Sequence, residues 1–370
     1  MNKGVVKFTV CNIIIAVIMA FVLGGCFLTD EARIVMSTMT LREKVGQIFI
    51  VEPESLKKGS ASVDSLTEEM IANLEKYPVG GVIMFANNIV TPEQITKLNA
   101  DFQSVSEIPL FISVDEEGGN VARLARNKAF NLPKYESAAA VGASGNAEDA
   151  FNMGKTIGTY LDEYGFNMDF APVADVNTNP ANPVIGKRAF SSDPTIAAAM
   201  AESMANGLKE SGVIPVYKHF PGHGDTAQDS HKEIAISNKT QKQMESCEWL
   251  TFKKAGEGDC IMVGHIAVPE ITGDMTPATM SFKVVTEILR NLLGFNGLII
   301  TDSLEMNAIT DDYTSAEAAV AAFNAGCDIL LMPNNLPNAF NAVLKAVENG
   351  TISEKRLNES VYRILSYKFK

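Results

Sequence analysis

Histidine and tryptophan are scarce in this sequence, with four of the first and one of the second among 370 residues. Cysteine is sparse too, at five. Cys11 and Cys26 lie in the leading segment. Cys247, Cys260 and Cys327 remain, an odd set without close spacing, which does not suggest a disulfide framework. Cys260 and Cys327 begin apolar runs and read as small buried hydrophobes. An excess of basic residues is absent: the net charge is −13, which argues against a nucleic-acid partner. No linker rich in Pro, Gly or Ser divides Leu41 from Lys370, so this stretch reads as one domain. No Gly-x-Gly-x-x-Gly opens a helix, which leaves a doubly wound open sheet only as the runner-up architecture.

What is present is concentrated. Three of the four histidines, His219, His223 and His231, fall in Lys-His-Phe-Pro-Gly-His-Gly-Asp-Thr-Ala-Gln-Asp-Ser-His at 218–231. Histidine titrates near physiological pH, and Asp225 and Asp229 lie among these rings. Pro221, Gly222 and Gly224 favour a loop. Ionisable groups on such a loop are more often functional than structural.

The start of the chain reads as an export signal. Lys3 and Lys7 precede an apolar run at 12–23, and Leu23-Gly24-Gly25-Cys26 follows. A basic start, a short apolar core and small residues mark a secretory leader, and the run is short for a membrane span. The Leu-x-Gly-Cys ending resembles a bacterial lipobox, which implies lipidation at Cys26. The expected organisation is a leader over 1–25, a tether with a first helix over 26–38, and a catalytic domain over 39–370. The expected location is extracytoplasmic, anchored to the cell membrane by lipid.

Apolar, β-rich runs recur at 47–51, 80–85, 109–115, 167–173, 215–220, 260–266, 297–302 and 328–332. They show little alternation, as expected of parallel strands buried on both faces. Helical patterns separate them, at 92–105 (with Thr91 as N-cap), 147–164, 194–211, 282–293 and 315–325. A last helical stretch covers 354–367. This alternation predicts an α/β fold, a (β/α)8 TIM barrel in one domain. Barrel sites form at the C-terminal strand ends. Asp115, Lys218, His219, His265 and Asp302 all fall at or near such ends, without having been chosen for it.

With these residues placed, the chain resembles glycoside hydrolase family 3, in particular its single-domain β-N-acetylglucosaminidases. The resemblance runs from Met39-Thr40-Leu41-Arg42-Glu43-Lys44-Val45-Gly46-Gln47 to the last helix. It includes Gly80–Phe85, Asp115-Glu116-Glu117-Gly118-Gly119-Asn120-Val121-Ala122-Arg123-Leu124, Asp169–Val176, Arg188-Ala189-Phe190, Lys218–His231, Thr301–Met306 and Ala325–Pro333. Many relatives carry Arg where this chain has Asn120, while Arg123 is kept.

The resemblance implies a retaining exo-β-N-acetylglucosaminidase acting on cell-wall muropeptides or related glycans. Asp302 would be the nucleophile, forming a covalent glycosyl-enzyme. The Asp229–His231 dyad would be the acid/base, where most retaining glycosidases use a second carboxylate. Asp115, Arg123, Arg188, Lys218 and His219 would bind the sugar. Glu116 and Glu117 read as solvated or supporting groups, His223 and Asp225 as loop-shaping, and His265 equally as a site residue or as a core or supporting histidine. Trp249 reads as packing, which favours a small pocket over a wide aromatic platform. No cofactor and no metal is implied. A His-x3-His spacing on a loop is not the helical His-Glu-x-x-His of a zinc protease.

Alternatives within the family are a β-N-acetylglucosaminide phosphorylase and a β-glucosidase. A different class is a transporter solute-binding lipoprotein, but such proteins are two-lobed with doubly wound sheets.

Overall fold

The structure is a computed structural model that describes residues 30–369 apart from 60, 231 and 232. Eight strands form its centre: β1 (Phe49–Val51), β2 (Gly81–Met84), β3 (Phe111–Val114), β4 (Met168–Asp169), β5 (Ile214–Phe220), β6 (Cys260–Val263), β7 (Leu298–Thr301) and β8 (Leu330–Leu331). Neighbours pair in chain order from β1 to β7, every pair parallel, and β8 pairs with β1. A parallel bridge between Ile300 and Ile329 joins β7 to the start of β8 and completes the ring. The expected (β/α)8 barrel is therefore the observed fold. Each predicted apolar run supplies one strand, and the regular pairing is shorter than most of the runs.

The strands lack alternation because both faces are covered. β1, β2, β3, β6, β7 and β8 are buried at every residue. One face fills the barrel and the other packs under helices, the arrangement that produces continuous apolar runs.

Local sequence sets the helix starts. The Thr91 hydroxyl accepts from the Gln94 amide, and Pro92 opens Pro92–Val105. Thr314 and Glu317 form a reciprocal cap at Ser315–Ala325. Such caps satisfy amides that the first helical turn leaves unpaired. Near the chain start, Glu31–Thr38 is a helix with Ala32 buried. It adjoins the last helix, Glu354–Lys368, whose Tyr362 hydroxyl donates to Asp30 at 2.8 Å. Among the described residues, no helix is long and apolar enough to cross a membrane.

Trp249 is fully buried and stacks on Phe220, with ring centroids 6.2 Å apart. It is a packing residue, as its helical setting suggested. Cys260 and Cys327 are buried and Cys247 is half-buried, all as free thiols.

Two of the loops that carry the site follow β3 and β5. After β3, Glu116–Gly118 and Val121–Ala122 form a short antiparallel hairpin. Gly118 and Gly119 turn it at φ 81° and 63°, in the left-handed region that favours glycine. After β5, the histidine-rich loop presses on the loop that follows β4. A side chain at Gly224 would stand 1.9 Å from the Val176 carbonyl oxygen, so only glycine allows this approach.

Candidate active site

The C-terminal ends of β3, β5 and β7 bring most of the expected site residues to one face. Asp115 directly follows β3, Lys218 and His219 lie near the end of β5, and Asp302 directly follows β7. Arg188 ends a short turn, Gly186–Arg188, in the loop after β4.

Lys218 is the hub. It is 2% exposed, and its ammonium lies 2.7 Å from Asp115 Oδ1 and 2.6 Å from Glu117 Oε1. Arg188 meets the same Glu117 through two points: Nε donates to Oε2 at 2.8 Å and Nη2 to Oε1 at 2.7 Å. Arg123 approaches Asp115 Oδ2 at 3.5 Å and lies over the Phe85 ring, 5.6 Å from its centroid. Asp115, Arg123 and Lys218 are thus in direct contact, and Arg188 joins them through Glu117.

For Glu117 the sequence left a solvated and a supporting role open, and the contacts with Lys218 and Arg188 decide for support. The solvated reading of Glu116 and Glu117 is corrected: both are buried. Burial alone would raise the Glu117 carboxyl, but the Arg188 and Lys218 cations outweigh it and hold it well below the usual carboxylate range. Burial would also depress the Lys218 ammonium, yet Asp115 and Glu117 keep it raised. Glu116 plays another part. Its carboxylate accepts from the Leu124 and Ala125 amides at 2.9 Å and from the Tyr160 hydroxyl at 2.9 Å, which fixes the end of the hairpin. The available signal was position, since both glutamates directly follow Asp115 at a strand end.

Asp302 is held on a tight turn. Its amide donates to the Val263 carbonyl at 2.8 Å, and the Ser303 amide donates to Asp302 Oδ1 at 2.8 Å. Burial opposes its ionisation, but His265, His219, the Ser303 amide and Lys218 together lower its pKa. His265 is fully buried. Its Nε2–H donates to the Ser303 carbonyl at 2.8 Å, and Nδ1 lies 2.9 Å from the Thr279 hydroxyl. This resolves its open reading in favour of a supporting role beside the Asp302 turn. The arrangement provides an ionised, partly shielded carboxylate next to a preformed set of cations and acceptors. Such a set suits a neutral, hydroxyl-rich ligand whose reacting carbon becomes electron-poor.

His219 is held from behind by Asp175, which sequence reasoning gave no role. The two side chains meet at 2.8 Å through His219 Nδ1, and the His219 amide lies 3.2 Å from the same oxygen. Burial raises the Asp175 carboxyl, but His219 and His223 outweigh it and lower its pKa. Asp225 accepts from the Ser237 hydroxyl at 2.8 Å, in keeping with loop shaping. Asp229 is half-buried in the same loop, and its carbonyl accepts from the Glu233 amide at 3.1 Å. His231 and Cys26 lie outside the described residues. Asn120, the departure from the family pattern, accepts from Arg126 at 3.0 Å.

A parallel eight-stranded barrel with carboxylates and cations at its C-terminal mouth defines the class of protein. Comparison with known sequences and structures then gives the family. Residues 40–367 match the glycosyl hydrolase family 3 N-terminal domain, and the chain belongs to that family. It is 34% identical over 337 residues to a beta-hexosaminidase A of Pseudoalteromonas piscicida, covering 84% of this chain and 56% of that protein. It therefore spans little more than half of that relative's length. The structure is similar to a family 3 beta-N-acetylglucosaminidase from Paenibacillus sp. strain FPU-7, with TM-score 0.83 and 36% identity over 90% of this chain and 62% of the other. It is also similar to a family 3 glycosyl hydrolase from Mycobacterium smegmatis, with TM-score 0.77 and 29% identity, covering 90% of this chain and 98% of that one.

Proposed function

We propose that the protein is a retaining, exo-acting β-N-acetylglucosaminidase that removes terminal N-acetylglucosamine from muropeptides or related glycans. The observation that carries this reading is Asp302, a carboxylate of lowered pKa at the end of β7, facing the same strand-end mouth as the Asp115–Lys218–Glu117–Arg188 array. Similarity to proteins named for hexosaminidase activity supports the choice of sugar.

In the first step Asp302 attacks the anomeric carbon, and His231 gives its proton to the glycosidic oxygen as the aglycone leaves. Asp229 favours and orients the imidazolium. In the second step His231 takes a proton from water, which attacks the same carbon and releases the sugar with retained configuration. Lys218, Asp115, Arg123, Arg188 and His219 hold the sugar hydroxyls while this happens. Trp249 is buried as a packing residue and offers no aromatic platform, which favours removal of one terminal residue.

The leader points to export and to acylation of Cys26. Labelled fatty acid should enter the wild-type protein and not Cys26→Ser; label in both would reject the anchor.

The enzymatic test is release of 4-nitrophenol from its β-N-acetylglucosaminide, with GlcNAc-MurNAc and chitobiose as natural-type substrates and anomer-resolved products. The β-anomer of free sugar should appear first, and Asp302→Ala should abolish turnover. Full activity in that variant rejects the mechanism. Sugar 1-phosphate formed in phosphate buffer would replace hydrolysis by phosphorolysis.

A further inference from the structure

Asp175, in the loop after β4, is fully buried and takes no part in the two-step reaction. Its Oδ2 meets His219 twice, at the ring Nδ1 (2.8 Å) and at the backbone amide (3.2 Å). Its Oδ1 accepts from the His223 amide at 2.6 Å. An ionised carboxylate can only accept, so the proton in the ring contact sits on His219 Nδ1. A buried carboxylate against an imidazole favours the charged form of the ring.

The end of β6 connects His219 to Asp302. The Asp302 amide donates to the Val263 carbonyl at 2.8 Å, and the next amide, that of Gly264, donates to the Phe220 carbonyl at 2.8 Å. Gly264 leaves room for the histidine: a Cβ there would stand 3.1 Å from the His219 Cβ. One backbone turn therefore carries Asp302 on one side and passes His219 on the other.

The cations that lower the Asp302 pKa are His265, which follows β6, and His219 and Lys218 of β5. Lys218 is already matched by Asp115 and Glu117, at 2.7 and 2.6 Å. His219 has Asp175 as its own counter-charge on the side away from the nucleophile. The other histidine beside Asp175 is His223, whose ring meets that of His219 edge to face with centroids 5.9 Å apart. Burial lowers the His223 pKa, and its ring nitrogens face the Thr226 and Ser230 hydroxyls at 2.7 and 2.8 Å.

We propose that Asp175 is a positioning residue for the nucleophile: through His219 it sets a cation beside Asp302 and keeps the attacking carboxylate free of its proton. This inference rests on the reading of Asp302 as nucleophile. It adds to that reading a fully buried residue that acts only through another side chain.

The test is the pH profile of kcat/KM, whose acid limb reports a group that must be ionised in the free enzyme. The substrate is the 2,4-dinitrophenyl β-N-acetylglucosaminide. Its aglycone departs without a proton, so the limb follows the nucleophile and not the acid/base. Profiles are compared for wild type, Asp175→Asn, His219→Gln and the double variant. Asp175→Asn removes the charge and keeps an acceptor for the His223 amide.

The acid limb should move up by about one pH unit in each single variant, the order of shift that one opposite charge gives a carboxylate. The double variant should move no further, because the two residues act as one unit. A limb that stays in place in Asp175→Asn, with an even loss at every pH, overturns the inference and leaves the nucleophile reading standing. An unmoved limb in His219→Gln does the same, which decides the matter if Asp175→Asn does not fold. Additive shifts in the double variant also overturn it, since Asp175 would then act without His219. If Asp302→Ala turns over the dinitrophenyl substrate at the wild-type rate, the nucleophile reading falls and this inference falls with it.

Discussion

Glu117 lies 2.6 Å from Lys218 and receives Arg188 in a two-point contact on the same carboxylate. Two cations on one buried anion keep both at fixed positions while each retains donors for a ligand. The cations that the proposed mechanism assigns to sugar binding are thus organised in advance, which would lower the cost of ordering them on binding.

Glu117→Gln should break this arrangement. Removing one charge of a buried network leaves the others uncompensated, a loss of about 3–5 kcal/mol in comparable cases. KM for the 4-nitrophenyl substrate should rise, and the midpoint of chemical unfolding should fall. An unchanged KM would show that Asp115 alone suffices to hold Lys218.

A carboxylate near the barrel mouth should respond to pH in the opposite sense from Glu117. Burial first, then Glu305 and Glu54, push the Glu52 carboxyl up to about 7 from an ordinary value of 4.5. Between these values the unfolded chain ionises while the native residue keeps its proton, so stability falls as pH rises, and the penalty is complete above the native pKa. Glu52→Gln should therefore raise the melting temperature relative to wild type at about pH 8 and much less at about pH 4. Thermal scans at the two pH values check this; an equal shift at both would remove the ionisation argument.

Asp328 should matter for folding and not for chemistry. This buried carboxylate accepts from Arg290 at 2.7 Å, Arg363 at 3.1 Å, Ser360 at 2.5 Å and the Ile299 amide at 3.1 Å. It ties the last helix to the β7–β8 seam. Burial opposes its charge, but the Arg290, Arg356 and Arg363 cations hold its pKa below the usual range. Its contribution is therefore present above the ordinary carboxylate pKa and is lost as pH falls through the native one. Asp328→Ala should cost about 3–5 kcal/mol in urea unfolding, with kcat nearly unchanged in the folded fraction.

Gly224→Ala tests the contact between the two loops. The added methyl would meet the Val176 carbonyl oxygen at 1.9 Å, and neither backbone can give way cheaply. Overpacking of this kind costs about 1–3 kcal/mol. Because the strain falls between His223 and Asp225, kcat/KM should drop by more than the loss of stability explains. Activity equal to wild type would show that the loop relaxes without consequence.

The barrel was legible in the residues. Runs such as Cys260–Val263 and Leu298–Thr301 are apolar on both faces because interior and helical layer each need an apolar partner, and that lack of alternation is a local property of the chain. Thr91–Pro92 and Thr314–Glu317 announced their helices through groups only a few residues apart. Asp115, Lys218, His219 and Asp302 could be placed on one face because strand order determines which end of the barrel each reaches. Glu117 and Asp175 could not be given their partners this way. Glu117 is 71 residues from Arg188 along the chain, and Asp175 is 44 from His219. Nothing local distinguishes a buried bridging carboxylate from a solvated one. The sequence by itself determined the architecture and the chemical types present at the mouth. Only the tertiary structure decided which carboxylate neutralises which cation, because pairing at a barrel mouth depends on the closure of strands distant in sequence.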